Sequence, residues 1–537
     1  VLFTNIAETS IALPNVQYVI DCGKTRKKRY DPMTSVEKVG STWISKTNSV
    51  QRSGRAGRVQ DGCYYGLFSK ERYDSLPSEG NAEILCSDLS NLCLLVKAQA
   101  LPAPIRKFFA QAPEPPSETS VNAAFRLLQN LGALTQDEEI TSVGTILAAL
   151  PVHPAKGKRL LLGILFRCIE PIAILSAVAR DDPLYGSPEI SSLEQGRVVR
   201  CFVGDFESDQ IGLINAYREL DAILKSRDQE QTQRYIDRNY MRKHVYREMR
   251  ARLPEIYEDL RRVGLLSPRF LRDPFSATPD KLNKNAENVN LIKALIASCP
   301  EPNIAALFER RKKFWATKDK KVVIYHRSVN TYAYPLDPVA TAMSNRHRRG
   351  DIVTLAMKRL KYGYYHPILI DTTICTHLTA ILFSTQASIE ENVIRLDGWL
   401  PLQVCGEGQS DENIAAKIVM EFRKAVHHFM LIPFADARNV GKMQLDGDNV
   451  GDASRVDVMF THEQPLREAI VEGVVRVLDA DAKAWREARG GLHIPKTLED
   501  HKQQKVKRVE KKQSRRAKVE RGMTEPQDSP EEAGLNR

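Results

Sequence analysis

Apolar positions change period several times along the chain, and each change predicts a different kind of element. Val16–Ile20 is a short β-branched run that ends at Asp21, Cys22 and Gly23, the pattern of a buried strand leaving a sheet. Through residues 1–75 such runs alternate with polar loops. From Leu85 to Leu150 the spacing turns helical, with Leu89, Leu92, Leu95 and Val96 on one side. A helix over Val121–Leu131 is expected to stop at Gly132, and Ala133–Gly144 reads as a short β-wing before another helix. Residues 153–270 read as helical throughout. Val245, Met249, Leu253, Ile256, Leu260 and Val263 form one stripe, in which Pro254 calls for a new helix or a kink. From about Lys320 to Leu402 the period shifts to strands, as in Val322–Tyr325, Ile368–Ile370 and Val393–Leu396. Residues 495–537 hold too few apolar side chains to bury a core. The fold class is therefore multidomain: α/β first, then α, then β, in keeping with 537 residues.

Charge adds a partner class to this picture. The 78 Lys and Arg outnumber the 67 Asp and Glu, for a net +11, and Lys502–Arg521 alone carry +8. Residues 1–501 remain at +6. A basic balance favours an anionic partner. The longest apolar run, Leu160–Phe166, is stopped by Arg167 and falls far short of the roughly 18 residues of a membrane span. No membrane partner is expected. Nine cysteines without a CxxC pair fit a reducing compartment, cytoplasmic or nuclear, rather than a secreted disulfide scaffold. His462-Glu463 lacks the second histidine of a zinc-binding HExxH, so no metal site of the chain's own is expected. The first residues, Val1-Leu2-Phe3, begin as if inside a strand, which reads as a piece of a longer protein.

The residues richest in chemistry are Gln51, Arg52, Ser53, Gly54, Arg55, Ala56, Gly57 and Arg58. Guanidinium groups are fork-shaped donors that match phosphate oxygens and stay charged at physiological pH. The small residues between them let backbone approach a ligand closely. On a helix, Arg55 and Arg58 would share a face toward one anion. Upstream stand Thr4, Asn5, Ile6, Ala7, Glu8, Thr9 and Ser10, a polar turn in which Thr9 could equally be a helix cap.

Together these two stretches resemble motifs V and VI of the DEAH/RHA family of RNA helicases, whose usual forms are TNIAETS and QRxGRAGR. The resemblance continues through Val19–Lys24, Leu89–Lys97, Leu131–Leu134 and Leu147–Pro151, and more weakly through Asp371–Thr373 and Asp397–Trp399. Pro14 and the Asp397-Gly398-Trp399 element lean toward the RNA-helicase-A-like branch, which has ribosome-associated members. The resemblance implies an order of parts: the end of a second RecA-like domain over 1–75, a winged helix over 76–152 and a helical ratchet domain over 153–270. An OB-like barrel over 271–435, an extension over 436–490 and a basic, disordered tail over 491–537 would follow.

By the same resemblance, Gln51, Arg52, Gly54, Arg55 and Arg58 would bind nucleotide. Gln51 would address the γ-phosphate or attacking water, and Arg55 and Arg58 would be arginine fingers, stabilising charge that phosphoryl transfer spreads over the phosphate. Thr4, Asn5, Glu8, Thr9 and Ser10 would lie near RNA. Lys24 and Arg26 belong to a run of five bases in six residues, expected on a loop beside that motif. His326, Arg327 and Ser328 resemble a family turn that meets RNA. Lys358–Tyr365 interleaves bases with aromatics, as single-strand-binding surfaces do.

The implied cofactor is ATP with Mg²⁺, held mainly by a first RecA-like domain, and the implied partner is RNA, single-stranded or structured, with ribosome or ribonucleoprotein components. A phosphate loop requires GxxxxGK[ST], and before Gly23-Lys24-Thr25 the place of the first glycine is taken by Tyr18. No DEAH box occurs either. The sequence thus reads as the C-terminal part of an ATP-dependent RNA helicase that alone is inactive as an ATPase. The alternative is an RNA-binding module with no motor. Ala12 and Pro14 depart from the family pattern where a threonine and an aspartate are common.

Overall fold

The computed structural model describes residues 8, 16–32, 36–56, 60–99, 104–178, 184–187, 189–204, 206–226, 228–266, 281–298, 304–309, 313–316, 321–325, 327–330, 352–361, 368–384, 386–390, 393–403, 409–431 and 464–488. The basic tail and Thr4, Asn5, Thr9, Ser10, Arg58 and His326 lie outside the described residues.

The N-terminal part is a small α/β assembly. β1 (Tyr18–Asp21) turns at Gly23 into β2 (Lys24–Asp31), which pairs antiparallel with β3 (Val36–Trp43). The five-base run was expected on a loop. It is instead a strand, because each residue from Lys24 to Asp31 has a ladder partner between Trp43 and Val36. α1 (Lys46–Ser53) follows, then β4 (Cys63–Gly66), parallel to β1 with Tyr18 opposite Cys63 and Asp21 opposite Gly66. α2 (Lys70–Asp74) closes this part.

A helical body comes next. α3 (Ser90–Ala98), α4 (Ile105–Ala110), α5 (Glu118–Asn130) and α6 (Ser142–Ala149) pack through Leu94, Phe109, Leu128 and Ile146. The expected stop at Gly132 is present, with φ of 72°. Between α5 and α6 the expected wing is reduced to one antiparallel bridge, Leu134 to Ile140. It fits closely against α6 because a Cβ on Gly144 would lie 2.1 Å from the Ala133 carbonyl oxygen.

α7 (Pro154–Leu165), α8 (Ile169–Ala177), α9 (Ser192–Val203), α10 (Asp209–Lys225), α11 (Gln229–Asn239) and α12 (Lys243–Arg262) extend the same core. α12 carries Pro254 in its interior as a single 20-residue helix rather than starting anew there. Its buried stripe of Val245, Met249, Leu253, Ile256 and Leu260 supplies the packing that outweighs the lost N–H.

After α13 (Val289–Ala297) the chain becomes strand-rich, from Ile304 rather than from about Lys320: β5 (Ile304–Glu309), β6 (Lys313–Ala316), β7 (Lys321–Ile324), β8 (Ile352–Lys361) and β9 (Ile368–Cys375). β5 pairs with β6 and β8, β6 with β7, β7 with β9, and β9 with β8, so these pairings form a circuit. β3 joins the edge of β8 in parallel, Lys38 opposite Leu360 and Val39 opposite Lys361. Helix His377–Phe383 leads to a three-stranded antiparallel sheet of β10 (Ala387–Glu390), β11 (Val393–Leu396) and β12 (Leu400–Gln403). The helices Gln409–Leu431 and Gln464–Ala488 send Val426, Phe429, Val474 and Leu478 back into the main core. Among the described residues no helix is long and apolar enough to cross a membrane.

Candidate nucleotide and nucleic-acid site

α1 begins with a capping box. Ser45 Oγ accepts the Asn48 N–H at 3.2 Å and Asn48 Oδ1 accepts the Ser45 N–H at 3.1 Å. The same Asn48 donates Nδ2 to Glu8 Oε2 at 2.7 Å. One turn later Arg52 donates Nε to Glu8 Oε1 at 2.8 Å and Nη1 to Asp21 Oδ1 at 2.7 Å, and reaches the Lys24 carbonyl at 3.2 Å. The other Asp21 oxygen accepts Tyr64 Oη at 2.8 Å, and Tyr64 lies 3.1 Å from Ser49 Oγ. Seven side chains from four segments thus form one network.

Its electrostatics follow from burial and pairing. Burial works against the charge on Arg52, but the hydrogen bonds to Glu8 and Asp21 more than compensate and hold the guanidinium above its ordinary value. Burial, offset in part by Ser49 and reinforced by the Asp21 carboxylate, pushes the Tyr64 phenol up to about 12. Tyr64 is therefore a donor at any physiological pH.

Arg55 lies beyond the end of α1, which Gly54 caps, so it does not project from a helical face as expected. Its side chain is 6% exposed and donates to the Glu8 backbone carbonyl. Gly62 allows the turn to sit against β4, since a Cβ there would come within 2.2 Å of the Ala56 carbonyl oxygen. Gln51 is exposed on α1. The structure thus joins Glu8, Arg52 and Arg55, leaves Gln51 facing outward, and uses the donors of Arg52 to tie the segments together.

The basic hairpin has its own arrangement. Lys24 Nζ stands 3.2 Å above the Trp43 ring centroid, and the Arg72 guanidinium is 5.0 Å from it. Arg26, opposite Ser41, is exposed. The β3–β8 pairing brings this hairpin to the strand that carries Lys358–Lys361, two basic stretches about 320 residues apart in sequence.

The turn expected to meet RNA is drawn inward at Ser328 and Asn330. Ser328 is 3% exposed, and its hydroxyl lies 2.7 Å from Thr372 Oγ1. Both belong to a polar junction around Asp209 at the start of α10. Asp209 Oδ1 accepts the Val329 N–H at 2.8 Å, and Oδ2 accepts the Thr372 N–H at 2.9 Å. Asn330 Nδ2 donates to the Glu207 carbonyl at 3.1 Å. Glu207 and Asp371 take positive φ of 50° and 56° there. Burial, opposed by the hydrogen bonds and reinforced by Asp371, raises the Asp209 carboxyl to about 6. The Ser328 hydroxyl thus points inward and ties its turn to β9. Arg327 is half-buried at the start of the same turn.

Sequence reading missed Tyr64, Asp209 and the second role of Asn48. The one available signal for Tyr64 was its place on a strand that must pair with Val19–Asp21. Asp209 carried none, since its partners are more than 100 residues away.

Residues 124–152 match the winged-helix model of the helicase associated domain, HA2. The chain is 33% identical over 432 residues to the human ATP-dependent DNA/RNA helicase DHX36, covering 79% of this chain and 40% of that protein. Belonging follows from this. The chain is a member of the DExH-box helicases and matches their C-terminal portion. The Arabidopsis thaliana DExH-box ATP-dependent RNA helicase DExH1 is 33% identical over 336 residues, 62% of this chain and 32% of its own length. The human ATP-dependent RNA helicase DHX29 is 28% identical over 406 residues, 75% and 29% respectively. This DExH-box chain therefore spans well under half the length of the curated relatives it matches.

Proposed function

We propose that the chain is the C-terminal part of an ATP-dependent RNA helicase that translocates on single-stranded RNA and unwinds RNA structure. The observation that carries this reading is the junction of Glu8 with Arg52 and Arg55, which physically links the residues resembling motif V to those resembling motif VI. A helicase needs such a link, because RNA contact and phosphate contact must change together. In the complete protein Gln51, Arg55 and Arg58 would address ATP, which supplies the energy of translocation. Arg55 would have to exchange the Glu8 carbonyl for phosphate oxygens. Mg²⁺ would be held mainly by the first RecA-like domain. Arg26 and Lys24 would contact RNA phosphates, together with Glu8 and its neighbours.

The domain order is part of the proposal. The parallel pair β1–β4 supports the end of a RecA-like domain, since parallel sheets are covered on both faces and Ile20, Tyr18 and Tyr65 are more than half exposed. The strand circuit of β5 to β9 supports an OB-like barrel, and α7 to α12 support a ratchet domain.

The reading is tested with a longer chain that carries a phosphate loop and DEAH box. RNA-stimulated ATPase activity is expected from it and none from residues 1–537 alone. Arg58→Ala in that longer chain should depress kcat by about 10³-fold with RNA binding retained. An unchanged kcat in a folded variant removes Arg58 from the site. RNA binding without any ATPase in the longer chain favours the motorless binding module.

A further inference from the structure

Tyr64 belongs to neither motif-like stretch, yet its hydroxyl sits where α1, β1 and β4 are joined. It stands on β4 opposite Val19 of β1. Its single proton goes to Asp21 Oδ2 at 2.8 Å, so the 3.1 Å contact with the buried Ser49 uses the Ser49 proton. The donors therefore run in one direction, from Ser49 to Tyr64 to Asp21. Burial and the Asp21 carboxylate keep the phenol protonated, so that direction holds at physiological pH.

The consequence lies in how Asp21 shares Arg52. Asp21 Oδ1 accepts the Gly23 N–H at 2.9 Å and Arg52 Nη1 at 2.7 Å. With Oδ2 taken by Tyr64, one guanidinium nitrogen faces Asp21. Nε and Nη2 are left for Glu8 Oε1, at 2.8 and 2.7 Å. Asn48 Nδ2 holds the other Glu8 oxygen at 2.7 Å, so α1 grips Glu8 from two residues one turn apart. Without the Tyr64 hydroxyl, Oδ2 would be an unsatisfied acceptor on a buried carboxylate. A two-pronged pair with Arg52 would then satisfy Asp21, because guanidinium and carboxylate match in that geometry, and it would draw donors away from Glu8.

We propose that Tyr64 is a positioning residue for ATP turnover. By occupying Asp21 Oδ2 it keeps Arg52 divided between Asp21 and Glu8. That division holds α1, which carries Gln51 and leads into Arg55, against the segment around Glu8. The assignment rests on the helicase reading above and names a residue outside both motif-like stretches that sets their alignment.

The test uses the longer chain with a phosphate loop and DEAH box. The variants are Tyr64→Phe, Asp21→Asn, the two together, and Tyr65→Phe as a control on the same strand, with thermal melting to establish that each is folded. In Tyr64→Phe, kcat for RNA-stimulated ATP hydrolysis should fall about 10-fold and kcat/KM with it, while KM for ATP stays within about twofold. The double variant should be about as slow as Asp21→Asn alone, because both substitutions break one contact. Tyr65→Phe should keep the parental kcat. Should Tyr64→Phe fail to fold, Asp21→Asn carries the same expectation for kcat and KM. An unchanged kcat in the folded variant, or losses that multiply in the double variant, overturns the inference while parental turnover leaves the helicase reading standing. An equal loss in Tyr65→Phe assigns the effect to the strand rather than the hydroxyl and also overturns it. If the parental longer chain shows no RNA-stimulated turnover, the helicase reading and this inference fall together.

Discussion

The Glu8 carboxylate receives Arg52 Nε at 2.8 Å and Nη2 at 2.7 Å, closing a gap of 44 residues in sequence. Arg52 also reaches Asp21, whose side chain is only 3% exposed, so one guanidinium bridges two carboxylates. Removing it would leave a buried charge unpaired.

Arg52→Ala should therefore lower stability by about 3–5 kcal/mol, the cost of breaking a buried pair from one side. Urea unfolding followed by Trp43 fluorescence measures this, because Trp43 stands on the hairpin opposite Lys24. The double variant with Asp21→Asn should recover part of the loss. A single variant as stable as the parent would show that the network carries no energy.

His427 predicts a pH dependence. Its folded value of about 3 lies below the ordinary 6.5, so the unfolded chain binds the extra proton first. Stability from this group is complete above about 6.5 and is lost as pH falls toward 3. The full loss is on the order of 3–5 kcal/mol. In His427→Gln that part of the pH profile should flatten, and an unchanged profile would place the ring in water.

Asp209 acts with the opposite sign. Its carboxyl, raised to about 6 from 3.8, binds protons more readily when folded, so its contribution to stability grows as pH falls from about 6 to about 4. Asp209→Asn should lose about 1–3 kcal/mol at neutral pH, because an amide cannot accept both the Val329 and Thr372 N–H groups. Thermal melting at pH 7.5 checks this, and a stabilised variant would mean the junction tolerates a donor there.

RNA binding should weaken steeply with salt, with a log–log slope of about −0.7 per phosphate contact on single strands. Ending the chain near Pro495 removes the +8 segment Lys502–Arg521, which should flatten the slope and leave measurable binding. RNA with a single-stranded end should be preferred to a blunt duplex. Binding that vanishes entirely on truncation would assign it to the tail alone.

The sequence by itself determined the family and the order of helical and strand-rich parts. These are legible because QRxGRAGR-like and TNIAETS-like runs are contiguous, and because core-facing periodicity is local, as in the α12 stripe from Val245 to Leu260. It also located the stop at Gly132, where only the local backbone matters. Tertiary structure decided the rest, wherever a residue's role depends on a distant partner. Five bases from Lys24 to Arg29 read as a loop until β3 supplied a ladder. Ser328, expected near RNA, has its hydroxyl against Thr372 in a turn that Asp209 holds, contacts no local pattern carries. Arg52, expected at the nucleotide, is paired with Glu8 and Asp21, which sequence could not show, since an exposed guanidinium and a buried one are the same letter and only the carboxylates folded against it distinguish them.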